Sequence, residues 1–286
     1  MLTGKSILHV KQGEGSCYSR TELRGYYNDL TEKVTKDDPK ILVPKYAVYG
    51  EEKIYFPIGI FQYGLAAYDL FLKTGEQRYL EKTLACANWA VENQEPSGAW
   101  LAFADRKQTP YSSMAQGEGS SLLLRAEKAT GDETYRAAAE KAIAFMLLPL
   151  EKGGTAVYEG DKVFLYECTN EPIVLNGWIF SYWGLRDYVL ASKDSAMQAL
   201  ASKAEKTLAA SIADFDTGYW SRYDLKERIA SPFYHKLHIA QLRVMYDLTG
   251  DVTFEKYSAK WQGYLRNPLY KGAAFLKKAF QKVFKE

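Results

Sequence analysis

The side chains of this sequence best suited to chemistry are its tyrosines: 22 stand beside 13 phenylalanines and 6 tryptophans, and aromatic residues make up 14% of the chain. A phenol with an ordinary pKa near 10 donates a proton well, but acts as a base only where neighbouring cations stabilise the phenolate. Rings that carry a polar tip also present flat faces and hydroxyls to a cleft, a common way of holding sugars. Other chemistries have less to work with. Cys17, Cys86 and Cys168 are far apart and lack Cys-x-x-Cys spacing, and His9, His235 and His238 are too few for a histidine-rich site. No metal and no cofactor are expected. A glycosidase needs two carboxyl groups about 5 to 10 Å apart, and no motif announces such a pair. With 37 Lys and Arg against 35 Asp and Glu, the net charge of +2 leaves no basic surplus for a nucleic-acid partner.

The elements that must position these groups emerge as a repeat. Thr74-Gly75, Thr130-Gly131 and Thr249-Gly250 each close one helix and open another, and Ser192-Lys193 occupies the equivalent place without its glycine. The first helix of each hairpin, about residues 58–73, 112–129, 172–191 and 233–248, is rich in glycine, aromatics and uncharged polar residues and reads as buried on most sides. The second helices carry apolar residues at helical spacing on one face, as in Tyr135, Ala138, Ala139, Ala142 and Phe145. Four inner and four outer helices predict a mainly all-α protein, an α/α toroid or incomplete barrel of helical hairpins whose cleft lies at the N-terminal ends of the inner helices. Two segments in the cleft loops read as short β structure: a hairpin from Thr155 to Tyr166 turning at Glu159-Gly160-Asp161, and a turn and short aromatic strand from Asp216 to Leu225. Gln116 and Asn176 on inner helices suit sugar hydroxyls or knit the toroid. Asp105-Arg106-Lys107 reads as a solvated loop.

Five strings taken in order carry a resemblance: Tyr55-Phe56-Pro57-Ile58 with Gln62-Tyr63-Gly64-Leu65; Tyr111-Ser112-Ser113-Met114-Ala115-Gln116-Gly117; Val174-Leu175-Asn176-Gly177; Asp216-Thr217-Gly218 with Tyr223-Asp224-Leu225; and Tyr234-His235 with His238-Ile239 and Gln241-Leu242. Together they resemble the D-glucuronyl C5-epimerase family, over most of residues 50 to 265. That resemblance implies an α/α-barrel catalytic domain acting on heparosan-type glycans, without the β-rich region of the animal enzymes. It implies catalytic roles for Tyr166, Tyr223 and Tyr234. The family's glutamate before the first tyrosine is Leu165 here, and the nearest acid is Glu167. The family's arginine three residues after the second tyrosine is Lys226.

The implied reaction removes the C5 proton of a uronic acid residue and returns one to the opposite face. It needs an acid and a base on two sides of the ring, and groups that offset the charge developing on the carboxylate. The expected catalytic set is Tyr166, Tyr223, Tyr234 and Glu167. The expected substrate-binding set is Tyr111, Gln116, Asn176, Arg222, Lys226 and His235, with Arg228 and Lys236 as further cations. A uronate lyase of the same cleft and a catalytically silent glycan-binding protein are the alternatives.

Residues 1–50 read as an irregular arm packed on the toroid, 51–265 as the catalytic toroid and 266–286 as a basic amphipathic helix. In that last segment Leu276, Phe280, Val283 and Phe284 form an apolar stripe among lysines. The stripe is expected to dock on the toroid or on a partner chain, as in a homodimer, with peripheral attachment to a membrane as the other reading. The uncharged stretches Ile54 to Tyr68 and Pro172 to Leu185 are too short to span a bilayer, and the first ten residues lack a secretory apolar core, so a cytoplasmic location is expected.

Overall fold

A computed structural model describes residues 10–48, 52–103 and 110–284. Asp105-Arg106-Lys107 and His9 lie outside these described residues. Four hairpins follow one another in the chain. Inner helices α2 (Pro57–Thr74), α4 (Ser113–Thr130), α6 (Leu175–Ser192) and α8 (Pro232–Thr249) alternate with outer helices α3 (Gln77–Glu92), α5 (Glu133–Leu147), α7 (Ser195–Ser211) and α9 (Val252–Arg266). A short α1 (Glu32–Thr35) precedes them and α10 (Pro268–Phe284) follows.

The four corners explain the regularity. Gly75, Gly131 and Gly250 turn in the left-handed region at φ 72°, 76° and 74°, and Lys193 adopts the same conformation at 57° despite its side chain. After three of these corners an aspartate caps the outer helix: Asp132 accepts from Thr134 N, Asp194 from Ala196 N and Met197 N, and Asp251 from Thr253 N. The inner helices are buried along most of their length, α4 continuously from Ser113 to Ala126. Helices α4 and α6 approach so closely that a Cβ on Gly184 would stand 2.3 Å from Gly117 Cα, and Ser113 Oγ meets Ser181 Oγ at 2.7 Å beside that contact.

The arm does more than pack on the outside. Asp69, Arg125 and Asp187 each stand six residues before their corner, which places them in one layer at the C-terminal end of the bore. The arm binds all three: Tyr26 N donates to Asp69 (2.8 Å), Arg125 donates to Gly25 O (2.9 Å) and Tyr27 Oη donates to Asp187 (2.8 Å). Arg125 and Asp187 pair at 2.6 Å, essentially without exposure. Glu14 with Arg243 and Tyr18 with Asp247 tie the arm to α8, while Tyr46 and Ile41 bond to Gly59 and Tyr63 of α2. The arm therefore joins the first and last hairpins and fills one end of the bore, leaving the cleft at the other.

Strands β1 (Ala156–Glu159) and β2 (Lys162–Leu165) form the expected hairpin around Gly160-Asp161. The segment from Asp216 to Leu225 is not a strand. It is a loop held by isolated bridges, Asp216 to Ser221, Arg222 to Ile229 and Val174 to Asp224, because Asp224 is buried and gathers Lys226 N, Arg228 N and the Arg228 guanidinium into a tight turn. The bridge to Val174 keeps residues 172–174 extended, so α6 starts at Leu175 rather than Pro172.

Helix α10 reverses the expected docking on the toroid. Its buried side is Ala274 and Gln281, seven residues apart, while Leu276, Phe280 and Val283 face outward. Among the described residues no helix is long and apolar enough to cross a membrane.

Candidate active site

Three segments meet at the open end of the bore. The first follows β2. Tyr166 and Glu167 follow directly on its last residue, Leu165. Burial raises the Tyr166 phenol and Glu159 of the hairpin adds to the shift, whereas Glu167 acts on Glu118, Tyr223 and Tyr234. Glu167 lies flat against the first turn of α6: a Cβ on Gly177 would stand 2.1 Å from its Oε2. A carboxylate at a helix N-terminus is favoured by the free N–H groups and the dipole there.

The second segment is the loop from Asp216 to Ser231. Tyr223 O accepts from Leu175 N at 3.1 Å and Leu225 N donates to Ile173 O at 3.2 Å, so the loop is laced to the start of α6. Glu227 takes a positive φ of 75° to complete the turn, an unusual conformation for a side-chain-bearing residue. The third is the first turn of α8, where Ser231 caps Tyr234 N.

Tyr223 and Tyr234 stand with ring centroids 4.8 Å apart, their planes tilted by 59°. Burial pushes both phenols up, Glu167 pushes them further, and neighbouring Tyr223 partly relieves Tyr234. Both are phenols at neutral pH, ready to donate. The Arg228 guanidinium sits 5.4 Å from the Tyr223 ring centroid and is already shared between Asp224 and Glu171.

Below them the bore is polar. Gln62 of α2 donates to Glu118 of α4 at 2.9 Å. Burial pushes the Glu118 carboxyl up to about 8; Gln62 and the buried Lys33 of α1 offset part of this, and Glu167 adds to it. Burial in turn pulls Lys33 down. Asn176 lies on the same face of α6 as Phe180, Trp183 and Asp187, the residues that meet the arm inside the bore. Gln241 donates to Asn176 O at 3.2 Å, and Asn176 Oδ1 and Gln241 Oε1 are buried acceptors with no hydrogen-bond partner among the described residues.

The structure brings together Glu167, Tyr223, Tyr234 and, beneath them, Asn176. It does not bring the rest of the expected set to that point. His235 is in the core: it stacks on Trp220 at 3.7 Å, bonds to Ser221 Oγ and Trp261 O, and burial pulls its pKa down to about 4. Neighbouring helical residues point about 100° apart, so His235 cannot follow Tyr234 into the bore. Gln116 is buried about 200° around α4 from Glu118, and its amide nitrogen and oxygen have no hydrogen-bond partner among the described residues. Tyr111 gives its hydroxyl to Glu95 and packs edge-on against Phe145. Lys226 is exposed, its backbone N held by Asp224, and Arg222 is half-buried with its backbone bonded to Phe215 O. Glu118, Gln62 and Lys33 are the residues that sequence reasoning missed. One signal was available: Gln62 and Glu118 each stand thirteen residues before their corner glycine.

Comparison with known proteins agrees with this architecture. The unsaturated glucuronyl hydrolase of Bacillus sp. GL1, described as responsible for the degradation of glycosaminoglycan, shares the α/α-barrel fold: TM-score 0.52 at 14% identity, over 74% of this chain and 62% of that one. Residues 95–263, more than half of the sequence, match the family described as D-glucuronyl C5-epimerase C-terminus, and the chain belongs to that family. A D-glucuronyl C5-epimerase of Caenorhabditis elegans is 29% identical over 210 residues, 63% of this chain and 34% of the nematode protein. An uncharacterised protein of Methanocaldococcus jannaschii is 26% identical over 208 residues, 65% of this chain and 68% of the relative. The chain thus spans about a third of the nematode epimerase's length.

Proposed function

We propose that this chain is an isomerase that inverts C5 of a uronic acid residue, D-glucuronate to L-iduronate, within an oligo- or polysaccharide of heparosan type. The observation that carries the reading is the packed Tyr223–Tyr234 pair, on both members of which Glu167 acts, beside the first turns of α6 and α8. Glu167 takes the C5 proton and becomes a carboxylic acid. The electron pair passes into the substrate carboxylate as an enolate. Tyr234 returns a proton to the other face and is left as a phenolate, which the Tyr223 hydroxyl stabilises as it forms. Exchange with water moves the proton from Glu167 back to Tyr234. Arg228 supplies positive charge to the tyrosine side, and Asn176 and Gln241 offer buried acceptors to sugar hydroxyls. Tyr166, half-buried and next to Glu167 in the chain, is assigned to substrate contact. No step calls for a metal or an organic cofactor.

The test is proton NMR of a heparosan-type oligosaccharide incubated with the protein in deuterated water. Loss of the C5 proton signal together with new iduronate signals is expected, and both should vanish in Glu167→Gln. Appearance of a C4–C5 double bond would instead establish a lyase, because the same enolate can expel the C4 substituent. Tight saccharide binding with no exchange would make the chain a glycan-binding protein.

A further inference from the structure

Helix α10 presents an unusual face to solvent. The outer helices α3, α5, α7 and α9 turn their apolar residues inward, whereas α10 docks through Gln281, whose amide accepts from Ile229 N at 3.0 Å and donates to Glu227 O at 2.9 Å, and through Ala274. Tyr270 adds an edge-on contact with Tyr264. On the opposite side Leu269, Leu276, Phe280 and Val283 are 79%, 70%, 53% and 72% exposed. At 100° per residue these four fall within an arc of about 60°. Exposed Phe275 widens the apolar face on one side, where Lys282 and Lys271 lie beyond it, and Lys277 stands about 60° from the other edge; all three lysines are exposed, and no acidic residue occurs from Pro268 to Phe284.

We infer that α10 is a peripheral anchor that lays its Leu269–Leu276–Phe280–Val283 stripe into the surface of a bilayer containing anionic lipid. An apolar stripe bordered by lysines matches the boundary between acyl chains and negative headgroups, where both halves of the helix find their complement. A second copy of the chain fits poorly, because pairing two such faces sets lysine rows beside each other with no acidic partner. The anchor is tied to the proposed catalytic machinery: Gln281 binds the backbone of the loop that carries Tyr223 and Arg228, so α10 forms the layer between that loop and the lipid surface. This inference concerns attachment alone and stands or falls independently of the reaction.

Co-sedimentation of the full chain with phosphatidylcholine vesicles, with and without phosphatidylglycerol, tests it. Binding is expected to the mixed vesicles and to be at least about tenfold weaker to pure phosphatidylcholine and at high salt. Lys271→Gln with Lys282→Gln should weaken binding about 25-fold, near fivefold for each lysine removed from an anionic surface. Leu276→Glu with Val283→Glu should abolish it while the circular dichroism spectrum stays that of the parent. Both pairs alter only exposed positions, and the lysine pair serves should the glutamate pair fail to fold. No sedimentation with anionic vesicles overturns the inference. So does a concentration-dependent dimer that the Leu276→Glu, Val283→Glu pair dissolves in the absence of lipid binding.

Discussion

Replacing Tyr223 by phenylalanine removes one hydroxyl beside Tyr234 and leaves the ring contact and the Arg228 contact in place. Between two neutral phenols a hydrogen bond contributes only about 1 kcal/mol. When Tyr234 gives up its proton the acceptor becomes a phenolate, and a hydrogen bond to a charged group is worth about 1.5–3 kcal/mol. The difference, about 0.5–2 kcal/mol, is at 1.36 kcal/mol per decade a loss of about 2- to 30-fold in the rate of proton return, with little change in saccharide affinity. Tyr234→Phe removes the donor itself and should cost about 10²- to 10⁴-fold. Because Tyr223 acts through Tyr234, the double variant should be no slower than Tyr234→Phe alone. The assay is incorporation of deuterium at C5, with saccharide affinity measured in parallel. A Tyr223→Phe variant slower than Tyr234→Phe, or effects that multiply in the double variant, would refute this order of action.

Gly177→Ala should move Glu167 away from the α6 N-terminus, since the new methyl occupies the space of its Oε2; C5 exchange should fall at least about tenfold, and unchanged exchange would mean that Glu167 is not held there for catalysis. Glu118, raised by burial to about 8 from an ordinary value of 4.5, keeps in the folded chain a proton that the unfolded chain releases. Its contribution to stability is complete below pH 4.5 and lost as pH rises to 8, at up to about 1.4 kcal/mol per pH unit. Glu118→Gln should flatten denaturant-measured stability across that window, and an unaltered slope would contradict the assignment. Asp187→Asn leaves the Arg125 guanidinium buried without its counter-ion and should cost about 3–5 kcal/mol. With about 0.6 kcal/mol per kelvin for a chain of this length, Tm should drop by about 5–8 °C, and a shift below 1 °C would show that the pair is dispensable.

The hairpin order was legible because corners have a chemistry of their own: a left-handed residue followed by a helix-capping acid. Even Lys193, which lacks the glycine, was found by its place in the series and adopts the corner conformation. The site was legible only in part. Tyr223 and Tyr234 come from different segments, and the motif strings identify them without showing that they touch. His235 was drawn into the expected site by adjacency to Tyr234 and Gln116 by its polar amide on an inner helix, whereas on a helix the residues that share a face are three or four apart. Counting from the corner glycines selects Glu118 over Gln116 and aligns it with Gln62. The arm and α10 were legible as an irregular segment and an amphipathic helix, but which face of α10 docks depends on a single amide, Gln281, meeting a loop about 50 residues earlier.

The arm that joins the first and last hairpins also sets how this chain can fold. Each hairpin brings together residues within one repeat, whereas Tyr18 reaches Asp247 across 229 positions. By loop-closure entropy, a closure tenfold longer than a hairpin's costs about 2 kcal/mol more, and no contact within a hairpin repays that cost before the ends meet. The barrel is thus a series of cheap local steps followed by one expensive non-local one. The residues that take part in that last step, Asp69, Arg125 and Asp187, lie in the floor of the same bore whose mouth holds the tyrosines. A shortened arm should leave the hairpins paired with their neighbours but the bore open at both ends, so helical content would report a folded protein while the interior that isolates Glu118 from water had already been lost.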